Sequence, residues 1–156
     1  MCYFCAKIRE KNMQTVITID RAKLLQRVRL TLAYNADRNP AVAGRYAEAA
    51  MTTNDKDLAE AYWSQALTWA AMALKSFGGE ADPDGDSIIL SILSPYSVAS
   101  RTSLLENIVA NAVECKIASE WLAVVGDIDS HARYRDKALG YTEEAIDLCN
   151  RKTRPY

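Results

Sequence analysis

Histidine is almost missing from this chain of 156 residues: His131 stands alone. One imidazole cannot build the Cys–His ligand sets of zinc sites or the paired Glu-x-x-His motifs of a di-iron helical bundle. Near the start of a helical pattern it reads as a solvated side chain. Ser130 beside it supplies adjacency, not the nucleophile–base geometry that covalent catalysis requires. The GxSxG, GxGxxG and P-loop signatures are missing too. No catalytic, cofactor-binding or metal-binding residue is therefore nominated, and the chain is expected not to be an enzyme.

Charge of one sign is also lacking. Nineteen Lys and Arg stand against 20 Asp and Glu, a formal net charge of −1. That argues against a general nucleic-acid binder, which carries a strong basic excess, so any DNA contact is expected to be indirect. No apolar run approaches the ~20 residues of a membrane span. The opening MCYFCAKIREKN holds too short an apolar segment for a secretory signal. A cytoplasmic protein as synthesised, with no membrane partner, is expected.

Cysteine is sparse, at four. Cys115 and Cys149 fall on apolar helical faces, where a reduced thiol behaves as a small hydrophobe. Cys2 and Cys5 form a lone CxxC without a second pair, a nearby histidine or a βαβ context, so neither zinc nor redox chemistry is assigned to them. Regular patterning starts only at Met13. Residues 1–13 are read as an N-terminal extension, disordered or set by an upstream start, and residues 14–156 as one helical domain.

What the chain has is helical periodicity. Thr102 to Val125 carries two adjacent apolar stripes: Leu104, Ile108, Ala112, Cys115, Ser119 and Leu122 form one; Leu105, Val109, Val113, Ile117, Trp121 and Val124 form the other. Glu106, Asn107, Asn111, Glu114, Lys116 and Glu120 leave only a narrow polar strip, which predicts a central helix covered on several sides. Asp20 reads as an N-cap for a helix bearing Leu24, Leu25, Val28 and Leu32 through about Ala36, broken by NADRNP at 35–40. Ala41 to Met51 suggests a short helical turn. Thr52-Thr53-Asn54-Asp55 is a helix start. Leu58, Tyr62, Ala66, Trp69, Ala73 and Phe77 are expected on one face of that helix, widened by Trp63, Leu67, Ala70 and Leu74, with Gly78-Gly79 as the stop. Tyr134, Ala138, Tyr141, Ala145 and Leu148 mark a last helix from about Ser130, packed as a hairpin on the central one through a tight Gly126 turn.

Two segments read as extended: TVITI (15–19), an arm by composition, and IILSIL (88–93), although a short apolar run also suits a buried helix. The fold expected is all-α: a bundle of about four main helices with a short β insertion between the second and third long ones.

Other site-like features have plainer readings. In EADPDGDS, Glu80, Asp82, Asp84 and Gly85 match the start of a calcium loop, but Ser87 and Ser91 stand where an apolar residue and the bidentate glutamate belong. A polar turn explains the stretch. Glu143, Glu144 and Asp147 suit a solvated helix face, and the aromatics at helical spacing suit a core. Arg21, Lys23, Arg27 and Arg29, then Arg151, Lys152 and Arg154, are either solvated or a docking surface for an acidic partner or for nucleic acid passing nearby.

The segments ITIDRAKLLQRVRLTLAY, MTTNDKDLAEAYWSQAL and ASEWLAVV, with a tyrosine-containing helix ending NRKTRP, resemble small helical proteins of phages and prophages of Bacteroides-type gut bacteria. Long helices with one extended insertion are also similar to head–tail connector (neck) proteins of tailed phages. That resemblance implies a virion assembly role, self-association in a ring, and portal or tail partners. Ring subunits join head-to-tail through two unlike faces. The candidate contacts are Ile88, Ile89, Leu90 and Ile92 as a strand for a neighbour, the TVITI arm, and the basic end Arg151, Lys152 and Arg154. A helical binding module without a virion role, or an unrecognised small-molecule enzyme, are the alternatives.

Overall fold

The computed structural model describes residues 13–38, 50–82, 85–92 and 102–150. Among them run β1 (Met13–Thr18), α1 (Arg21–Arg38), α2 (Lys56–Ala73), β2 (Glu80–Ala81), β3 (Ser87–Ile92), α3 (Thr102–Val124) and α4 (Ile128–Asn150). The expected architecture of four main helices with a small β element is present. Cys2, Cys5, most of the Ala41–Met51 stretch, Asp84, Arg151, Lys152 and Arg154 lie outside the described residues.

α3 is the hub. Leu105, Val109, Val113, Ile117, Ala118, Trp121 and Leu122 are buried, and α1, α2, α4 and β1 all pack on the helix. A helix apolar on two stripes can bury both only when covered from several sides. Its ends escape that cover: Leu104 is 52% and Val124 66% exposed. α4 folds back on α3 as the most extensive helix pair, burying Ala138, Ala145 and Leu148. Gly126 makes the turn with a left-handed φ of 83°.

α1 buries Leu24, Leu25, Val28, Leu32 and Ala36 and continues to Arg38. Asn35 therefore belongs to the helix rather than to the break expected there. At the start of α2, the Thr52 amide donates to Asp55 Oδ2 (2.8 Å) and the Asn54 amide donates to Thr52 Oγ1 (3.3 Å), satisfying donors that a helix start leaves free.

The buried side of α2 differs from expectation. Ala59, Trp63, Ala66, Leu67, Ala70, Ala71 and Leu74 are inside. Leu58 is exposed, and Tyr62, Trp69, Ala73 and Phe77 are half-buried. Both stripes have helical spacing, so periodicity alone could not choose between them. Small alanines let the backbone approach while Trp63 fills the space, and Tyr62 and Trp69 keep a polar edge near water. A 3-10 turn (Lys75–Phe77) and Gly78 at φ 74° end the helix. A Cβ on Gly78 would stand 2.9 Å from Ser91 Cβ, so the turn lies directly against β3.

The β element is a three-stranded antiparallel sheet in the order β1-β3-β2. It is more than an insertion: β1 comes from before α1 and pairs with β3 along its whole length, from Met13↔Ile92 to Thr18↔Ser87. β2 covers only Ile89 and Ile88, through Glu80 and Ala81.

Candidate functional site

The strand expected to offer itself to a neighbour is the middle strand of the sheet. Ile88 and Leu90 are fully buried, and Ile88 and Ile89 have paired strands on both sides. Hydrophobic burial within this chain consumes Ile88 and Leu90, so they correct the interface assignment. Ile89 is half-buried on the opposite face, and Ile92 is placed only by its pairing with Met13.

Among the described residues, β1 is a strand left with an unpaired side. Ile19 N–H donates to Asp86 O at 2.9 Å. Continuing that alternation along the register makes Ile17–Ile88 and Thr15–Leu90 hydrogen-bonded pairs, and turns the backbone N–H and C=O of Gln14, Val16 and Thr18 outward. Side chains alternate likewise: Thr15 and Ile17 face the core, whereas Val16 is 48% exposed. The other edge is covered, by β2 and then by the Gly78 turn against Ser91.

Exposed edges are ordinarily blunted by charge, proline or a bulge. β1, MQTVIT, has no charged residue and no proline, and its register with β3 runs without a bulge. One polar group stands at its end: Thr18 N–H donates to Glu106 Oε1 of α3 at 3.5 Å. Beside it a groove of about 240 Å³ runs between α1 and α3, lined in part by Thr18, Lys23, Arg27 and Asn107.

A cleft of about 710 Å³ lies between α1, α2 and the β2–β3 turn and is lined by Asp20, Arg21, Arg29, Lys56, Glu60 and Asp86 among others. Arg21 is its clamp: Nη1 meets Glu60 Oε2 at 2.6 Å and Nε meets Asp86 Oδ1 at 2.8 Å. Nη2 donates to Gly85 O at 3.3 Å. The guanidinium also lies over the Trp63 ring, 5.4 Å from its centroid. Arg27 pairs with Glu114 of α3 at 2.5 Å and donates to Asn111. Lys23 Nζ lies 3.7 Å from Asp20 Oδ2, so three of the four α1 cations read as either solvated or a docking surface are ion-paired within the chain.

His131 is half-buried, and its Nδ1 lies 2.7 Å from Ser119 O. A carbonyl accepts only, so this nitrogen carries the proton, and the ring ties α4 to α3 instead of standing in solvent. The Ser130 hydroxyl turns to Asn35 Oδ1 (3.3 Å), away from the imidazole's bond. Glu143, Glu144 and Asp147 are exposed along α4. Gly85 N–H donates to Asp82 O (3.2 Å) and Asp82 N–H to Ser87 O (2.9 Å), closing the acidic stretch as a hairpin turn. Among the described residues, no group of three or more His, Cys, Asp or Glu side chains could hold a metal ion, and no helix is long and apolar enough to cross a membrane.

β1, expected as an arm, is instead an edge strand of the sheet among the described residues. The signal was present in MQTVIT, a β-branched segment without a gatekeeper charge. No family model, no curated protein and no solved structure matches this chain.

Proposed function

We propose that this chain is a structural protein of assembly that works through protein–protein contacts, as a head–tail connector component of a phage or prophage virion. The observation that carries the reading is the outer edge of β1, which pairs with no other strand among the described residues, exposes Val16 and carries no charged or proline gatekeeper. An extended segment added there gains main-chain hydrogen bonds at once, and alternate side chains supply selectivity. The closed edge at β2 and Gly78 makes the sheet's two sides unlike, which suits directional contacts with portal or tail proteins.

Native mass spectrometry over a concentration series tests this, with the chain alone and mixed with the portal and tail proteins of its own phage. Closed oligomers, or a defined complex with one of those proteins, are expected. A chain that stays monomeric throughout and is retained by none of them overturns the proposal.

A further inference from the structure

Resting on that assembly reading, we infer that the first partner of the β1 edge is a second copy of this chain, joined antiparallel to its own β1 around a two-fold axis at Val16. The outward backbone groups belong to Gln14, Val16 and Thr18, as the alternation from the Ile19–Asp86 bond requires. A two-fold axis at Val16 sets Val16 opposite Val16 of the second copy, and Gln14 opposite Thr18 of that copy. Each such pair exchanges two N–H···O bonds in an antiparallel ladder. Thr18 N–H then leaves Glu106, at 3.5 Å a long contact, for the carbonyl of Gln14 in the second copy.

The side chains favour a second copy over a generic strand. On the outer face of the sheet one cross-strand row reads Glu80, Ile89, Val16. Ile89 and Val16 are a half-buried and an exposed apolar residue side by side, and no strand among the described residues continues the row beyond Val16. The two-fold axis continues it as Val16, Ile89 and Glu80 of the second copy. An apolar strip then runs across the junction, with the like charges at its far ends. Branched aliphatic pairs directly opposite on one face stabilise a sheet, and like charges so placed oppose it. No charged side chain of β1 meets its own image at the axis.

The contact is isologous and joins copies two at a time. A connector ring would need a further, unlike contact elsewhere, and a closed assembly using both holds an even number of copies.

The test compares wild type, Val16→Lys and Val16→Thr by sedimentation equilibrium and native mass spectrometry, with far-UV circular dichroism to confirm the fold. Val16 is surface-facing, so neither change removes a core side chain. Wild type and Val16→Thr are expected to form even-numbered assemblies, and Val16→Lys is expected to halve their mass. Amide exchange on the wild-type protein reads the same contact without a variant: the Val16 N–H should exchange more slowly as concentration rises. An unchanged mass for folded Val16→Lys, an odd-numbered assembly, or a Val16 amide indifferent to concentration overturns this pairing and leaves the assembly reading standing. A wild-type monomer that portal and tail proteins also fail to retain overturns both.

Discussion

Asn35 Nδ2 donates to Asp127 Oδ2 at 3.1 Å, a buried bond that joins α1 to the start of α4 across 92 positions of sequence. Asn35 is 8% and Asp127 2% exposed. The Ser130 amide donates to Asp127 Oδ1 at 3.1 Å, so the same carboxylate caps α4. Arg133 Nη2 reaches Asn35 Oδ1 at 3.4 Å. Buried polar groups stabilise a fold only while their partners are present.

Asn35→Leu keeps the bulk of the side chain and removes the donor to Asp127. A loss of about 1–3 kcal/mol in urea unfolding at pH 7 is expected, because a buried carboxylate loses a partner. Burial pushes the Asp127 carboxyl up, but the Ser130 hydroxyl and amide, then Asn35 and the Arg133 charge, outweigh it and hold the group below its ordinary value. A folded value below the unfolded one stabilises fully above about pH 3.9 and is lost as pH falls through the lower folded value. The stability gap between wild type and Asp127→Asn should therefore narrow in acid, as unfolding curves at pH 7 and pH 3 would show.

Glu114 has the opposite sign. Burial raises its carboxyl, and the Arg27 charge and the Thr31 hydroxyl pull it down without cancelling that effect. A raised carboxyl favours the folded state below the ordinary glutamate value, about 4.3, and loses that advantage as pH rises through the folded value. Relative to Glu114→Gln, wild type should lose stability from about pH 4 upward and then level off. Paired thermal melts across that range would check it.

Two glycines separate backbone need from backbone cost. Gly78→Ala puts a side chain at φ 74° and against Ser91, so it should lower stability by more than about 1 kcal/mol and loosen the covered edge of the sheet. Gly140 sits within α4 with nothing within 4 Å of an added Cβ. Gly140→Ala should raise stability by about 0.5–1 kcal/mol through helix propensity. Melting temperatures of the two variants should move in opposite directions.

Cys115 and Cys149 are free and buried, and burial pushes each thiol up to about 11. Only about one molecule in a thousand carries either thiolate at pH 8, and packing shields what forms. Peptide mapping after iodoacetamide treatment should find both unmodified in native protein and both labelled in denaturant.

Elements governed by local chemistry were legible from the residues. Thr52 and Asp55 announce a cap, the two stripes on α3 announce a covered helix, and Gly126 announces a hairpin turn. Features decided by distant partners were not. TVITI and IILSIL each look like strands, but nothing in either says that they pair, or that the second lies in the middle of the sheet. Ile88 and Leu90 suit a docking strand and a core equally, because β-branched and aliphatic residues serve both. On α2 the Tyr62 and Trp63 stripes compete on equal terms until neighbouring helices bury one. Asn35 looked like a helix breaker because its use, a partner for Asp127, exists only once α1 and α4 meet.

The pairing of β1 with β3 also sets an order of events during folding. Thr18 and Ser87 are partners 69 positions apart, while α3 and α4 are neighbours joined by a tight turn. Local contacts close quickly, whereas a strand pair so far apart in sequence must bear a large loop-closure entropy first. On a ribosome making the chain from its N-terminus, β1 emerges long before β3 exists to meet it. Ile17 and Ile19 must then wait uncovered, which makes this segment the point where a chaperone or a premature neighbour would act first.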